Sequence, residues 1–205
     1  CTTPMPSMPL FLWNDEDGRR YFESYFDTFP GPPNVWRHGD WLKLIQRPES
    51  VTGIVYGRSD STINRHGIRM GTSELYRVVE EFDEVLDSLV IDLEYLGRES
   101  YMVLFVVMRE PGAEVPAALR QALLQAIRTK LSARHVPNDV VAVPEVPRTI
   151  SGKKLEVPIK RILLGQPVEQ SVNKDSMANP GILEWFVAFA RARGAQPARS
   201  ADQAP

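Results

Sequence analysis

Apolar positions along the 205-residue chain change period several times, and each change marks an element. Leu75, Val78, Val79, Phe82 and Val85 recur at helical spacing, predicting an amphipathic helix with Thr72 or Ser73 as its N-cap. Leu89, Ile91 and Leu93 alternate as in a strand, and the near-continuous apolar run over 101–108 reads as a second, central strand. Leu119, Leu123, Ile127 and Leu131 mark a helix of roughly four turns, and 140–143 a third strand. Loops are expected at 109–116 and 144–154. Pro158 suits the first turn of a short helix that Gly165 closes. Residues 166–180 have little apolar content and read as an extended connector. Ile182, Trp185, Phe186 and Phe189 define a last amphipathic helix ended by Gly194, with 195–205 expected to be disordered.

Before residue 70 the pattern is broken by prolines. A short apolar strand is expected at 10–13, a turn at 15–18, and a turn or two of helix burying Tyr21, Phe22, Tyr25 and Phe26. Residues 41–45 and 53–58 read as two strands joined by a Pro-Glu-Ser turn. The order over about 70–150 is strand-helix-strand-strand-helix-strand. It predicts an α+β fold: a small three-stranded, mostly antiparallel sheet flanked by helices and preceded by a β-rich stretch.

Composition narrows the class. With 43% hydrophobic and 24% charged residues and a net charge of −2, the chain reads as soluble and globular, without the basic excess of a nucleic-acid binder. No apolar run approaches the ~18 residues of a membrane span. A single cysteine, Cys1, rules out an internal disulfide framework and fits a reducing, cytoplasmic compartment. The chain begins with Cys and no leader follows, so it reads as a mature or truncated piece. The near-neutral total is a cancellation. Residues 74–99 hold nine acidic against two basic side chains, and 120–161 nine basic against three acidic.

Three stretches carry candidate chemistry. In the first, Gly57 to Arg69, two glycines sit among turn-forming residues, and Arg58 and Arg69 come from one compact hairpin. Paired guanidinium forks suit phosphate or ribose oxygens, and equally a solvated hairpin pairing with nearby carboxylates. In the second, Pro147-Arg148-Thr149-Ile150-Ser151-Gly152-Lys153-Lys154, a flexible Ser-Gly lets backbone approach a ligand and Lys153 adds a point charge. It lacks the upstream glycine of a Walker A loop and also reads as a plain turn. In the third, Gly39-Asp40, the carboxylate can accept a ribose diol or bond its own backbone. His38, His66 and His135 lack metal-ligand spacing, and the chain's metal use is left open.

Taken in order, Gly39-Asp40, the Gly-Arg-x-Asp hairpin from Gly57 and the Ser-Gly-Lys loop at 151–153 resemble the adenylate-forming enzymes: acyl-CoA synthetases, luciferases and peptide-synthetase adenylation domains. Asn64 resembles the branch of the acetyl-CoA and acetoacetyl-CoA synthetases, and the segment Pro4-Met5-Pro6-Ser7-Met8-Pro9-Leu10 and the run from Lys154 to Gly165, with Asn173 and Asn179-Pro180 beyond it, resemble the acetoacetyl-CoA synthetases. The resemblance implies ATP with Mg2+ and CoA as co-substrates, acetoacetate as the acid, and no tightly bound cofactor. It implies roles by position: Lys153 as the mobile catalytic lysine; Asp40, Arg58 and Arg69 at ATP or AMP; Asp60 as hinge; His66, Gly67 and Arg128 at CoA. It also implies four regions: 1–57 as the end of a large adenylation domain, 58–165 as a mobile domain, 166–194 as a helical extension, and 195–205 as tail. The phosphate loop, adenine segment and acyl pocket belong to an N-terminal adenylation domain absent from this chain, which alone should be inactive. Lys153 is further expected to be a target for a lysine acetyltransferase. Alternatives are acetyl- or propionyl-CoA synthetase, or a non-catalytic module whose Trp185/Phe186/Phe189 helix docks on a partner. No nucleic-acid or membrane partner is expected.

Overall fold

The computed structural model describes residues 1–3, 5–29, 35–58, 63–65, 68–93 and 101–194. In chain order the elements are α1 (Arg19–Tyr25), β1 (Asp40–Gln46), β2 (Val51–Arg58), β3 (Ile63–Arg65), β4 (Ile68–Met70), α2 (Thr72–Val79), β5 (Val85–Leu93), β6 (Tyr101–Met108), α3 (Ala117–Lys130), β7 (Asp139–Ala142), α4 (Glu156–Leu163), α5 (Val168–Ser171) and α6 (Leu183–Ala192). Strands pair as β1-β2, β3-β4 and β5-β6-β7. The apolar run of β6 puts it at the centre of the three-stranded sheet: the longer pairing, with β5, is antiparallel and the shorter, with β7, is parallel.

Both faces of this sheet are covered. On one, Leu89, Ile91, Val103 and Phe105 pack against Ile159 and Ile162 of α4 and Leu183 and Phe186 of α6. On the other, Val90, Met102, Leu104 and Val106 meet Leu75 and Val79 of α2, Leu123 and Ile127 of α3, and Ile63 and Met70 of the β3-β4 hairpin. Burial on both sides explains why β6 reads as an almost unbroken apolar run. The aromatic face of α6 is spent within the fold, with Phe186 fully buried and its ring 5.1 Å from that of Phe105.

Several expectations change. Helix α2 ends at Val79 and Val85 already opens β5, because the intervening 80–84 turn keeps Phe82 on the same apolar cluster and so extends the apparent period. The N-cap is Gly71, not Thr72 or Ser73, which are the first two helical residues, and the cap makes no side-chain hydrogen bond. Residues 166–180 are not an extended connector. They hold α5 and a 3-10 turn, bury Ser171 and Met177, and hydrogen-bond through Ser176 and Ala178 to the backbone of Ile150 and Arg148. Backbone pairing of this kind leaves no hydrophobic signal.

The segment 10–13 is not a strand: Leu10 and Trp13 are each 90% exposed, and no ladder partner faces them among the described residues. The turn after it forms as expected, with the Asp15 carboxylate accepting from the Arg20 and Tyr21 amides at the start of α1. The α1 aromatics are half-buried or exposed, and Tyr25 stacks on Trp36 with ring centres 4.0 Å apart. Residues 195–205 lie outside the described residues. Among the described residues no helix is long and apolar enough to cross a membrane.

Candidate active site

The Ser-Gly-Lys loop is a tight hairpin. Arg148 and Lys154 form its closing bridge, the Thr149 amide donates to the Lys153 carbonyl (2.9 Å), and the Gly152 amide donates to the Thr149 carbonyl (2.8 Å). Gly152 adopts φ +83°, the left-handed region where a side chain is strained, so the turn requires glycine there. The Thr149 hydroxyl accepts from the Lys153 amide (3.0 Å). These bonds fix the backbone and leave the Lys153 side chain exposed at the tip, with no carboxylate pairing its ammonium among the described residues.

Its neighbour Lys154 is held the opposite way. Its ammonium, on a side chain 15% exposed, donates to Glu80 Oε1 (2.6 Å), Asp87 Oδ1 (2.9 Å) and the Ser88 carbonyl (2.7 Å), and lies 3.8 Å from the Tyr76 ring centre. Arg148 reaches the other oxygen of Asp87 through Nη2 (2.6 Å) and Nε (3.2 Å). Burial alone would raise the Asp87 carboxyl. Hydrogen bonds from Arg148 and Lys154, with the Lys154 charge, outweigh it and hold Asp87 below the ordinary carboxylate range. Burial, with Glu156 accepting from its hydroxyl at 2.6 Å, pushes the Tyr76 phenol well up, so it stays a neutral donor.

The remaining candidates spread over the molecule. Asp40 opens β1 after Gly39, whose φ is +85°, and stands opposite Arg58 in the β1-β2 ladder; its carboxylate lies 2.7 Å from His38 Nδ1. Arg69 faces Asn64 across the β3-β4 ladder. The side chains of Arg58 and Arg69, and Asp60, His66 and Gly67 altogether, lie outside the described residues. Arg128 is exposed on α3 beside Gln121 and Gln125, along a shallow surface groove.

The β3-β4 hairpin is docked by Arg65, which donates to the Val136 carbonyl and to Asn138 Oδ1 (2.8 Å); the same oxygen accepts from the Met102 amide (2.9 Å). Met102 pairs with Asp92 at the far end of β5 from Asp87. Five residues separate those positions, about 17 Å along a strand. The Lys153 loop and the hairpin carrying Arg69 are therefore moored at opposite ends of one sheet.

Beside that second mooring, His135 is largely buried. Its Nδ1 lies 2.9 Å from the Ser132 hydroxyl, while Nε2 is 3.6 Å from Glu74 Oε2, too long for a hydrogen bond. Burial lowers its pKa and the Glu74 charge restores only part of the shift. A histidine whose folded value is depressed adds stability that is full above its unfolded value of 6.5 and lost as pH falls through the folded one. Urea unfolding at pH 7.5 and 5 is expected to show this loss in the wild type and a smaller one in His135→Gln. Equal losses would assign the slope elsewhere.

Residues 78–153 match the AMP-binding enzyme C-terminal domain family. Over 186 residues the chain is 41% identical to an acetoacetyl-CoA synthetase of Danio rerio and 40% to an acetoacetyl-coenzyme A synthetase of Rhizobium meliloti (strain 1021), covering 91% of this chain and 26% and 27% of those proteins. The structure of acetoacetyl-CoA synthetase from Streptomyces lividans superposes with a TM-score of 0.80 at 46% identity, over 94% of this chain and 28% of that one. The chain belongs to the acetoacetyl-CoA synthetase family. It spans about a quarter of the length of these relatives and carries the C-terminal AMP-binding domain.

Within this C-terminal AMP-binding domain the structure gives contacts to residues that the sequence left without a role: Asp87, Arg148 and Lys154 beneath the Lys153 loop, and Arg65 with Asn138 beneath the hairpin. Their partners lie 61 to 74 residues away in sequence, beyond any local pattern. Among the described residues no group of three or more His, Cys, Asp or Glu side chains could hold a metal ion.

Proposed function

We propose that this chain serves an ATP-dependent acid-thiol ligase that converts acetoacetate, ATP and CoA to acetoacetyl-CoA, AMP and pyrophosphate. The carboxylate attacks the α-phosphorus and pyrophosphate leaves; the CoA thiol then attacks the acyl carbon and AMP leaves. ATP enters with Mg2+ as substrate. The observation that carries the reading is the exposed Lys153 ammonium, unpaired among the described residues, on a backbone-fixed loop, since a cation is what charge build-up around phosphorus calls for. Asp40, with Arg58 across the ladder, is proposed to take the ribose, and Arg69 the phosphates.

The Lys153 loop and the β3-β4 hairpin are anchored about 17 Å apart along β5. That separation supports rotation about Asp60, exchanging the Lys153 loop for the hairpin with His66 and Gly67, with Arg128 at the CoA nucleotide. The adenylation domain that would complete the site, a cytoplasmic location, and acetylation of the exposed Lys153 belong to the same proposal, as do the divisions at 57, 165 and 194. A thiokinase assay of the full-length gene product with acetoacetate, acetate and propionate in parallel tests it. Acetoacetate is expected to give the highest kcat/KM; preference for acetate or propionate would reassign the substrate, and no AMP formation with any acid would reject the ligase.

A further inference from the structure

Lys153 is followed directly by a second lysine, yet only one of the two ammonium groups is available. The cause lies beneath the loop. Asp87, on β5, offers one oxygen to Arg148 on the incoming leg and the other to Lys154 on the outgoing leg. A single carboxylate therefore ties both ends of the hairpin to the sheet. Its side chain is 19% exposed, and its Oδ1 also accepts from the Ser88 amide at 2.8 Å. Glu80 takes the Lys154 ammonium from the end of α2 and the Ser88 hydroxyl as well. Arg148 returns to the tip itself, donating to the Gly152 carbonyl at 2.6 Å.

We propose that Asp87 is a positioning residue for Lys153: by holding Arg148 and Lys154 together, it sets the direction in which the loop presents the exposed Lys153 ammonium. The assignment rests on the catalytic reading of Lys153 given above. Catalysis by a preplaced charge depends on where that charge sits before the reaction, so a support that fixes the loop acts on rate more than on binding. The same contacts sequester Lys154, which cannot stand in for its neighbour without breaking three charge-assisted bonds.

Asp87→Asn keeps the shape and one acceptor oxygen while removing the charge that both cations share. In the full-length gene product it is expected to lower kcat for adenylation, followed by pyrophosphate exchange, about tenfold or more, with KM for ATP nearly unchanged. Thioester formation from supplied acetoacetyl-adenylate is expected to stay near its normal rate. Amide hydrogen exchange at Gly152, Lys153 and Leu155 should quicken at least about tenfold, as a loosened loop opens more often. In the Lys153→Ala background the added Asp87→Asn change should slow adenylation no further. Asp87→Glu, which restores the charge, should recover part of the rate.

Unchanged exchange together with unchanged adenylation in Asp87→Asn would overturn the proposal. So would equal losses in both half-reactions, which mark general destabilisation. If Asp87→Asn fails to fold, Lys154→Met cuts one leg only and is read by the same measurements. If Lys153→Ala itself leaves adenylation intact, the catalytic reading fails; faster exchange in Asp87→Asn then still supports the anchoring, and unchanged exchange rejects it too.

Discussion

Lys153→Ala in the full-length gene product is expected to slow adenylation by ~10²-fold or more while thioester formation from supplied acyl-adenylate continues. The magnitude follows from the site. The ammonium stands on a loop whose backbone is closed by bonds from Thr149, Gly152 and Lys153, so only the side chain remains to be ordered at the moment of reaction. Its neighbours on the loop, Lys154 and Arg148, cannot replace it, since both are engaged with Asp87. Lys153→Arg keeps the charge but changes its reach and shape, and should fall between the two. A tenfold or smaller effect on adenylation, or equal effects on both half-reactions, would remove Lys153 from the chemistry.

Phe105→Ala is expected to cost about 3–5 kcal/mol of folding stability, a large share of the roughly 5–15 kcal/mol typical of a domain. Phe105 is fully buried on the central strand, and its ring meets those of Trp185, Phe186 and Phe189 edge-on at 5.9, 5.1 and 5.2 Å. Removing it opens a cavity between the sheet and α6 that the surrounding rings cannot close without leaving their edge-to-face geometry. Urea unfolding of the 205-residue chain checks this, with Phe105→Leu as a milder control. A loss below about 1 kcal/mol would mean that α6 does not depend on the sheet for its packing.

The order of elements from α2 to β7, the central place of β6 and the last helix were legible because each repeats apolar residues at one period over two or more turns or several strand positions. The reading failed where period and burial part company. At 10–13 apolar residues are exposed, so hydrophobicity without a partner strand does not make a ladder. At 166–180 few apolar residues occur, yet the segment pairs its backbone with the Lys153 loop and buries Met177.

The site divides in the same way. Lys153 was visible because Ser-Gly-Lys is a local motif, and Asp40 because Gly39 precedes it. Asp87 was not, since its meaning comes from two cations 61 and 67 residues downstream. Nor was Arg65, whose acceptors at 136 and 138 come close only when the hairpin docks at the end of the sheet. Charge counts separated an acidic 74–99 from a basic 120–161, but did not say which pairs form.

The central claim is that Lys153 meets the α-phosphate during adenylation. It is tested most directly by a crystal structure of the full-length gene product with ATP and an unreactive analogue of the acid. Lys153 Nζ is expected at about 2.7–2.9 Å from an α-phosphate oxygen, the range for a charge-assisted hydrogen bond. An α-phosphate neutralised by another cation, with Lys153 turned to solvent, would contradict the claim.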